Sequence, residues 1–151
     1  MHLDSSIAAV VTGGGVRVRD AGVRHLDMIG LVFGRLGITW QIDGDDLVVP
    51  PGQELRIKDD EGNAISKIED GPWPAFPADL TSIAVALATQ ADGLLLIHEK
   101  MFENRLFFVD KLIGMGARIV LCDPHRAVVA GPVKLRGSTV ESPDIRAGMA
   151  M

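Results

Sequence analysis

The sequence predicts an α/β (α+β) fold assembled from a repeated unit of helix, strand, helix, strand and strand. Three observations predict it. Two apolar runs each open on an aspartate and close on glycine: one starts at Asp4 and stops at Gly13-Gly14-Gly15, the other starts at Asp79 and stops at Asp92-Gly93. Each is followed by a strand pattern, a second helix ended by glycine, and two short strands around a turn. The same opening returns at Asp144, so the three aspartates lie roughly 65 to 75 residues apart, longer than the short solenoid periods.

In the first unit, Ile7-Ala8-Ala9-Val10-Val11 continues the run from Asp4 as a helix, and an acid in the first turn suits the exposed N–H groups there. Val16-Arg17-Val18-Arg19 alternates as a strand does. A second helix is expected over about 25–36, stopped by Gly37. Strands at 38–42 and 47–49 flank Asp43-Gly44-Asp45-Asp46, which has hairpin chemistry. Pro50-Pro51-Gly52-Gln53 reads as a turn, and 58–63 as an exposed acidic loop. The second unit repeats the order: a helix from Asp79, a strand at 94–97, a helix at about 104–115 stopped by Gly116, and strands at 118–121 and 127–129 around Asp123-Pro124-His125-Arg126. The expected division is 1–70, 71–143, and the opening of a third unit at 144–151. That third unit offers only the first turns of a helix. The chain is therefore expected to be part of a longer one, or to cover its unpaired face by self-association, because buried apolar surface is worth about 25 cal/mol per Å².

Composition narrows the function classes. A chain of 151 residues fits one ordinary domain. Net charge is −5 with no basic block, which argues against nucleic acid and against a membrane surface as partners. The single cysteine, Cys122, excludes a disulfide framework, and its apolar run predicts a buried strand thiol, not a nucleophile. No signal-peptide pattern and no apolar run of membrane-span length occurs, so a cytoplasmic protein is expected. His25, His98 and His125 show no metal-ligand spacing, and the glycines close helices where a dinucleotide fingerprint would open one. No metal or cofactor is expected.

Asp79 carries the strongest functional signal. It follows Gly71-Pro72-Trp73-Pro74-Ala75-Phe76-Pro77-Ala78, and prolines stiffen such a stretch and fix where the next side chain points. One reading of Asp79 is a helix N-cap; the other is a carboxylate aimed at a ligand, favoured because a cap needs no such costly loop. Trp73 and Phe76 read either as covers over a core edge or as platforms for a sugar ring. Arg105 reads either as a ligand contact or as a surface residue paired with Glu99 or Glu103.

Pro74-Ala75-Phe76-Pro77-Ala78-Asp79-Leu80 and Glu99-Lys100-Met101-Phe102-Glu103-Asn104-Arg105, with Met115-Gly116-Ala117 and Asp144-Ile145-Arg146-Ala147, resemble the enolpyruvyltransferase family. Val10-Val11-Thr12-Gly13-Gly14 and His25-Leu26-Asp27-Met28 extend the resemblance over nearly the whole chain, which corresponds to about the middle third of such an enzyme. The resemblance implies a lobe of an inside-out α/β barrel, with helices inside and sheets outside. It implies transfer of the enolpyruvyl group of phosphoenolpyruvate to the 3′-hydroxyl of UDP-N-acetylglucosamine, with release of phosphate. By resemblance, Asp79 bonds that hydroxyl and accepts its proton. Met101 occupies a position whose backbone binds the sugar nucleotide, Asp144 and Arg146 line the cleft, and Arg105 has a supporting role. The Lys and Arg donors for phosphoenolpyruvate, and a lid cysteine, are implied to come from other parts of the enzyme. Cys122, in a strand, does not match that cysteine. The isolated piece is expected to be inactive. Ala78 and Thr81 stand where the family usually has Thr and Gln, which marks a divergent subgroup. Two alternatives stay open: shikimate 3-phosphate as the acceptor, or a non-catalytic relative that binds a nucleotide sugar.

Overall fold

The order helix, strand, helix, strand, strand occurs twice along the chain. The structure, a computed structural model, describes residues 3–142 and Gly148. In the first unit α1 (Leu3–Val11) leads to β1 (Val16–Val18), α2 (Asp27–Gly34), β2 (Gln41–Asp43) and β3 (Asp46–Val49). After β4 (Ser66–Glu69), the second unit runs α3 (Thr81–Ala88), β5 (Gly93–His98), α4 (Val109–Gly114), β6 (Arg118–Asp123) and β7 (Arg126–Gly131). The first sheet has the order β1-β3-β2 and the second β4-β5-β7-β6. In both, the strand after the first helix pairs antiparallel with the second arm of a hairpin.

One helix, α3, lies inside, while α1, α2 and α4 each keep a solvent face. Seven α3 residues, from Thr81 to Ala88 with Ala86 excepted, are buried, so this helix shows no solvent face of the usual width. It packs on α1, β5 and β7. The core is one cluster that runs through both units, from Leu3, Ile7 and Phe33 to Leu95, Ile97, Leu112 and Val129. Gly131 lets β7 pass close to the end of α3. A Cβ there would fall well inside contact distance of the Ala91 carbonyl and 2.5 Å from that of Ala88. Backbone carbonyls at a helix end have nowhere to go, so Gly131→Ala is expected to destabilise the fold by about 1–3 kcal/mol. Urea unfolding measures it; an unchanged midpoint contradicts this packing.

The structure differs from the sequence expectations in several places, among them α3, which begins at Thr81 with Asp79 in the 3₁₀ turn ahead of it. Both second helices begin with a 3₁₀ turn, Val23–His25 before α2 and Arg105–Phe108 before α4, entered through a left-handed residue: Gly22 at φ 63° and Asn104 at φ 66°. Asparagine is one of the few non-glycine residues at home there. β2 starts late because Gln53 takes the backbone of Thr39, accepting its N–H at 2.7 Å and donating to its carbonyl at 2.9 Å. β4 has no counterpart among the sequence expectations. Its stretch Ser66-Lys67-Ile68-Glu69 buries only Ser66 and Ile68, a weak apolar signal, yet it pairs parallel with β5 as the edge of the second sheet. Cys122 is exposed where a buried thiol was expected. On β6 the buried position is Ile119, and Val120 and Cys122 point outward.

Candidate active site

The stiff loop closes on itself and anchors to the first unit. Gly71 N–H donates to the Phe76 carbonyl at 3.0 Å and Ala75 N–H to that of Pro72 at 2.9 Å. Phe76 is buried and meets Phe33 edge to face at 5.8 Å, so its ring belongs to the core. Trp73 stays 59% exposed, its ring edge to face with His25. Of the two readings for this aromatic pair, covering the core fits Phe76, and only Trp73 is left available to a ligand. Pro77 then enters a 3₁₀ turn, Ala78–Leu80, which Leu80 N–H closes on the Pro77 carbonyl at 3.0 Å. Asp79 projects from this turn, just ahead of α3, with its side chain 57% exposed.

The opposite wall comes from the chain leaving β5. Met101 and Phe102 are each 42% exposed, and Asn104 turns the chain into the 3₁₀ turn that begins at Arg105. The Arg105 side chain, 16% exposed, donates from Nη1 to Asp79 Oδ1 at 3.2 Å. Its guanidinium lies 3.8 Å over the Phe102 ring, a cation–π contact that orients it. Of the two readings for Arg105, the ion pair that forms is with Asp79 and not with Glu99 or Glu103. Between the walls is a cleft of about 320 Å³ lined by Trp73, Pro77, Asp79, Met101, Phe102 and Arg105, among others. Of the predicted site residues, the structure brings Asp79, Met101 and Arg105 together. Asp144 and Arg146 lie outside the described residues. A second, more polar cavity of about 440 Å³ sits in the first unit, between residues 20–25 and Asp45.

Two buried acids beneath the cleft were not among the expected site residues, Glu99 having been considered only as a partner for Arg105. Asp70 is 3% exposed and accepts the backbone N–H groups of Lys100 and Met101. Glu99 is fully buried, and burial together with the adjacent Asp70 pushes its carboxyl up to about 8. Both follow a strand directly, β4 for Asp70 and β5 for Glu99, so the sign was two acids at adjoining strand ends, invisible until β4 is known. On the outer edge Glu69 accepts from Lys100 at 2.7 Å and pairs with Lys67 at 2.9 Å and His98 at 3.1 Å, which holds its carboxyl down to about 2.

Chemically, the cleft offers one solvent-reachable carboxylate, oriented by a guanidinium and bordered by apolar side chains. Such a carboxylate can bond an alcohol and take its proton. Apolar and aromatic walls suit the face of a sugar ring or a base.

Fold and cleft together define a class. Across 99% of this chain the architecture matches the crystal structure of the enolpyruvyl transferase NikO from Streptomyces tendae, at a TM-score of 0.81 and 20% identity, over 34% of that chain. The chain belongs to the family described as EPSP synthase (3-phosphoshikimate 1-carboxyvinyltransferase), whose pattern matches residues 6–151. Among its relatives, a Bradyrhizobium diazoefficiens protein is 62% identical over 95% of this chain and 33% of its own length. A Treponema denticola protein is 57% identical over 100% of this chain and 36% of its own. One from Borreliella burgdorferi is 54% identical over 100% and 36%. All three are named UDP-N-acetylglucosamine 1-carboxyvinyltransferase. The chain thus spans about a third of the length of these relatives. Among the described residues no helix is long and apolar enough to cross a membrane.

Proposed function

We propose that this stretch supplies the acceptor side of an enzyme that moves the enolpyruvyl group of phosphoenolpyruvate onto the 3′-hydroxyl of UDP-N-acetylglucosamine. The observation that carries the reading is Asp79, presented on the cleft rim and oriented by Arg105 at 3.2 Å. An alcohol is a poor nucleophile, and a carboxylate within hydrogen-bond reach is the usual remedy. Asp79 takes the hydroxyl proton as the 3′-oxygen bonds the enol carbon of phosphoenolpyruvate. A proton gained by the methylene carbon is lost again as the bond from the enol carbon to the phosphate oxygen breaks and phosphate leaves. Arg105 fixes the carboxylate, and the backbone at Met101 borders the sugar nucleotide. Asp144 and Arg146 belong to the same cleft in this reading. The names of relatives at 54–62% identity support the UDP-sugar as acceptor over shikimate 3-phosphate. In this reading the enzyme is cytoplasmic and serves peptidoglycan synthesis, and the units 1–70, 71–143 and 144–151 are successive repeats of one barrel-like lobe.

Calorimetry on the longest natural polypeptide that carries this stretch tests the acceptor. Binding of UDP-N-acetylglucosamine and none of shikimate 3-phosphate is expected; the reverse overturns the assignment. The 151-residue chain alone is expected to release no phosphate from phosphoenolpyruvate and the UDP-sugar, because cationic donors for the phosphate and carboxylate are drawn from elsewhere. Measurable release contradicts that. The isolated chain is also expected to self-associate, and sedimentation of a clean monomer at high concentration contradicts it.

A further inference from the structure

Beneath the cleft lies a pair of acids that the proposed reaction does not use. The parallel register of β4 and β5 sets Glu69 beside His98 and carries on for one residue more, as Asp70 N–H donates to the His98 carbonyl at 3.3 Å. That continuation brings the Asp70 and Glu99 carboxyls together at the strand ends, with Asp70 3% and Glu99 0% exposed. Their surroundings are unequal. Asp70 accepts Lys100 N–H on one oxygen and Met101 N–H at 3.3 Å on the other. Both Glu99 oxygens are buried with no donor at hydrogen-bond geometry. They face Asp70, the buried Thr81 hydroxyl and the positive charge of Arg105.

The backbone of Glu99 is held separately. Its N–H donates to the His125 carbonyl at 2.8 Å, and its own carbonyl accepts from His125 Nδ1 at 2.9 Å. The Lys100 ammonium turns away to Glu69 at 2.7 Å. Two adjoining carboxyls shut away from water do not both ionise. Asp70 has two N–H groups to bond; Glu99 has no N–H donor and only the nearby Thr81 hydroxyl, and its burial suits it to the proton. A hydrophobic pair would fill this space at lower cost. What the acids add is an anchor for two consecutive backbone N–H groups at the root of the cleft wall.

We infer that Asp70 and Glu99 are a proton-sharing positioning pair that sets the Lys100-Met101 backbone, and with it the Met101–Arg105 wall, for the acceptor sugar. This rests on reading the cleft as the acceptor site. Loss of the shared proton puts two anions side by side, and the Lys100 and Met101 amides move with them.

The test follows those two amides by NMR in the 151-residue chain from about pH 5 to 10, beside the infrared carbonyl band of a protonated carboxyl. Both amides and the band are expected to titrate together, with a midpoint raised well above the ordinary glutamate value by burial and by Asp70. Glu99→Gln, which mimics the neutral acid, is expected to remove the band and freeze both amides in their low-pH positions. Asp70→Asn is expected to displace them at every pH and to weaken UDP-N-acetylglucosamine binding by about tenfold or more. Should Asp70→Asn not fold, Glu99→Gln decides alone. A Met101 amide that does not titrate, or titrates equally in Glu99→Gln, overturns the pair. If the amides titrate but the chain binds no UDP-sugar, the pair stands and the acceptor assignment falls. If the chain binds the UDP-sugar but the amides do not titrate, the acceptor assignment stands and the pair falls.

Discussion

Asp79→Asn is expected to cut enolpyruvyl transfer by about 10²- to 10⁴-fold in kcat, the range a lost general base costs, while the KM for the UDP-sugar changes only a few-fold. The assay uses the longest natural polypeptide that carries this stretch. The amide keeps the size of the carboxylate and one acceptor oxygen for Arg105, so the cleft keeps its shape; what disappears is the capacity to take a proton. The pattern separates the two roles considered for this residue. A carboxylate that only ends a helix contributes about 0.5–2 kcal/mol of stability, and its loss lowers the unfolding midpoint with kcat untouched. A base lost from the cleft lowers kcat and kcat/KM together. Arg105→Lys is informative beside it, because a lysine keeps the charge but gives up the planar guanidinium that lies on Phe102 at 3.8 Å.

The second large effect is on stability, and it comes from Glu99. Its carboxyl is raised from an ordinary 4.5 to about 8, first by burial and then by the neighbouring Asp70. Between those values the folded chain keeps a proton that the unfolded chain has released. Each step up in pH across that window therefore favours unfolding, and the total loss is on the order of a few kcal/mol. Glu69 acts on the other side. Held down to about 2 chiefly by Lys100 and Lys67, it contributes stability that is present above 4.5 and fades as pH falls toward 2. Together these two groups place the stability maximum near the ordinary glutamate range. Glu99→Gln is expected to match the parent chain at low pH and to exceed it increasingly from pH 4.5 to 8, as urea titrations at several pH values would show. Parallel curves for the two proteins would mean that Glu99 is not neutral in the fold.

Much of the architecture was legible because its punctuation is local. Gly37, at φ 88°, and Gly116, at φ 104°, occupy the left-handed region where a helix ends, and glycine marks such places in any sequence. The turns Asp43-Gly44-Asp45-Asp46 and Asp123-Pro124-His125-Arg126 both join hairpin arms as expected. What escaped depends on partners distant in the chain. β4 is a strand because β5 offers it an edge, not because Ser66-Lys67-Ile68-Glu69 favours one. The outward face of Cys122 follows from the register of β6 on β7, which an unbroken apolar run does not reveal.

The candidate site divides along the same line. Asp79 was legible because proline and aromatic residues crowd in front of it, and Met101 and Arg105 because they fall in a specific string. Their meeting was not, since the Asp79–Arg105 pair spans 26 residues and depends on where the 3₁₀ turn after Asn104 places the guanidinium. The buried pair was hidden for a further reason. An acid at the end of an apolar strand normally reads as a solvated end, and only the parallel pairing of β4 with β5 turns two such ends into neighbours.

Whether the acceptor sugar sits against Asp79 can be read directly from a two-dimensional NMR titration of the 151-residue chain with UDP-N-acetylglucosamine. The shifts are expected to concentrate on the Trp73 indole N–H and on the amides of Asp79, Met101, Phe102 and Arg105. Shifts confined to the first-unit cavity around His25 and Asp45, or no shift at millimolar ligand, would remove the cleft as the acceptor site.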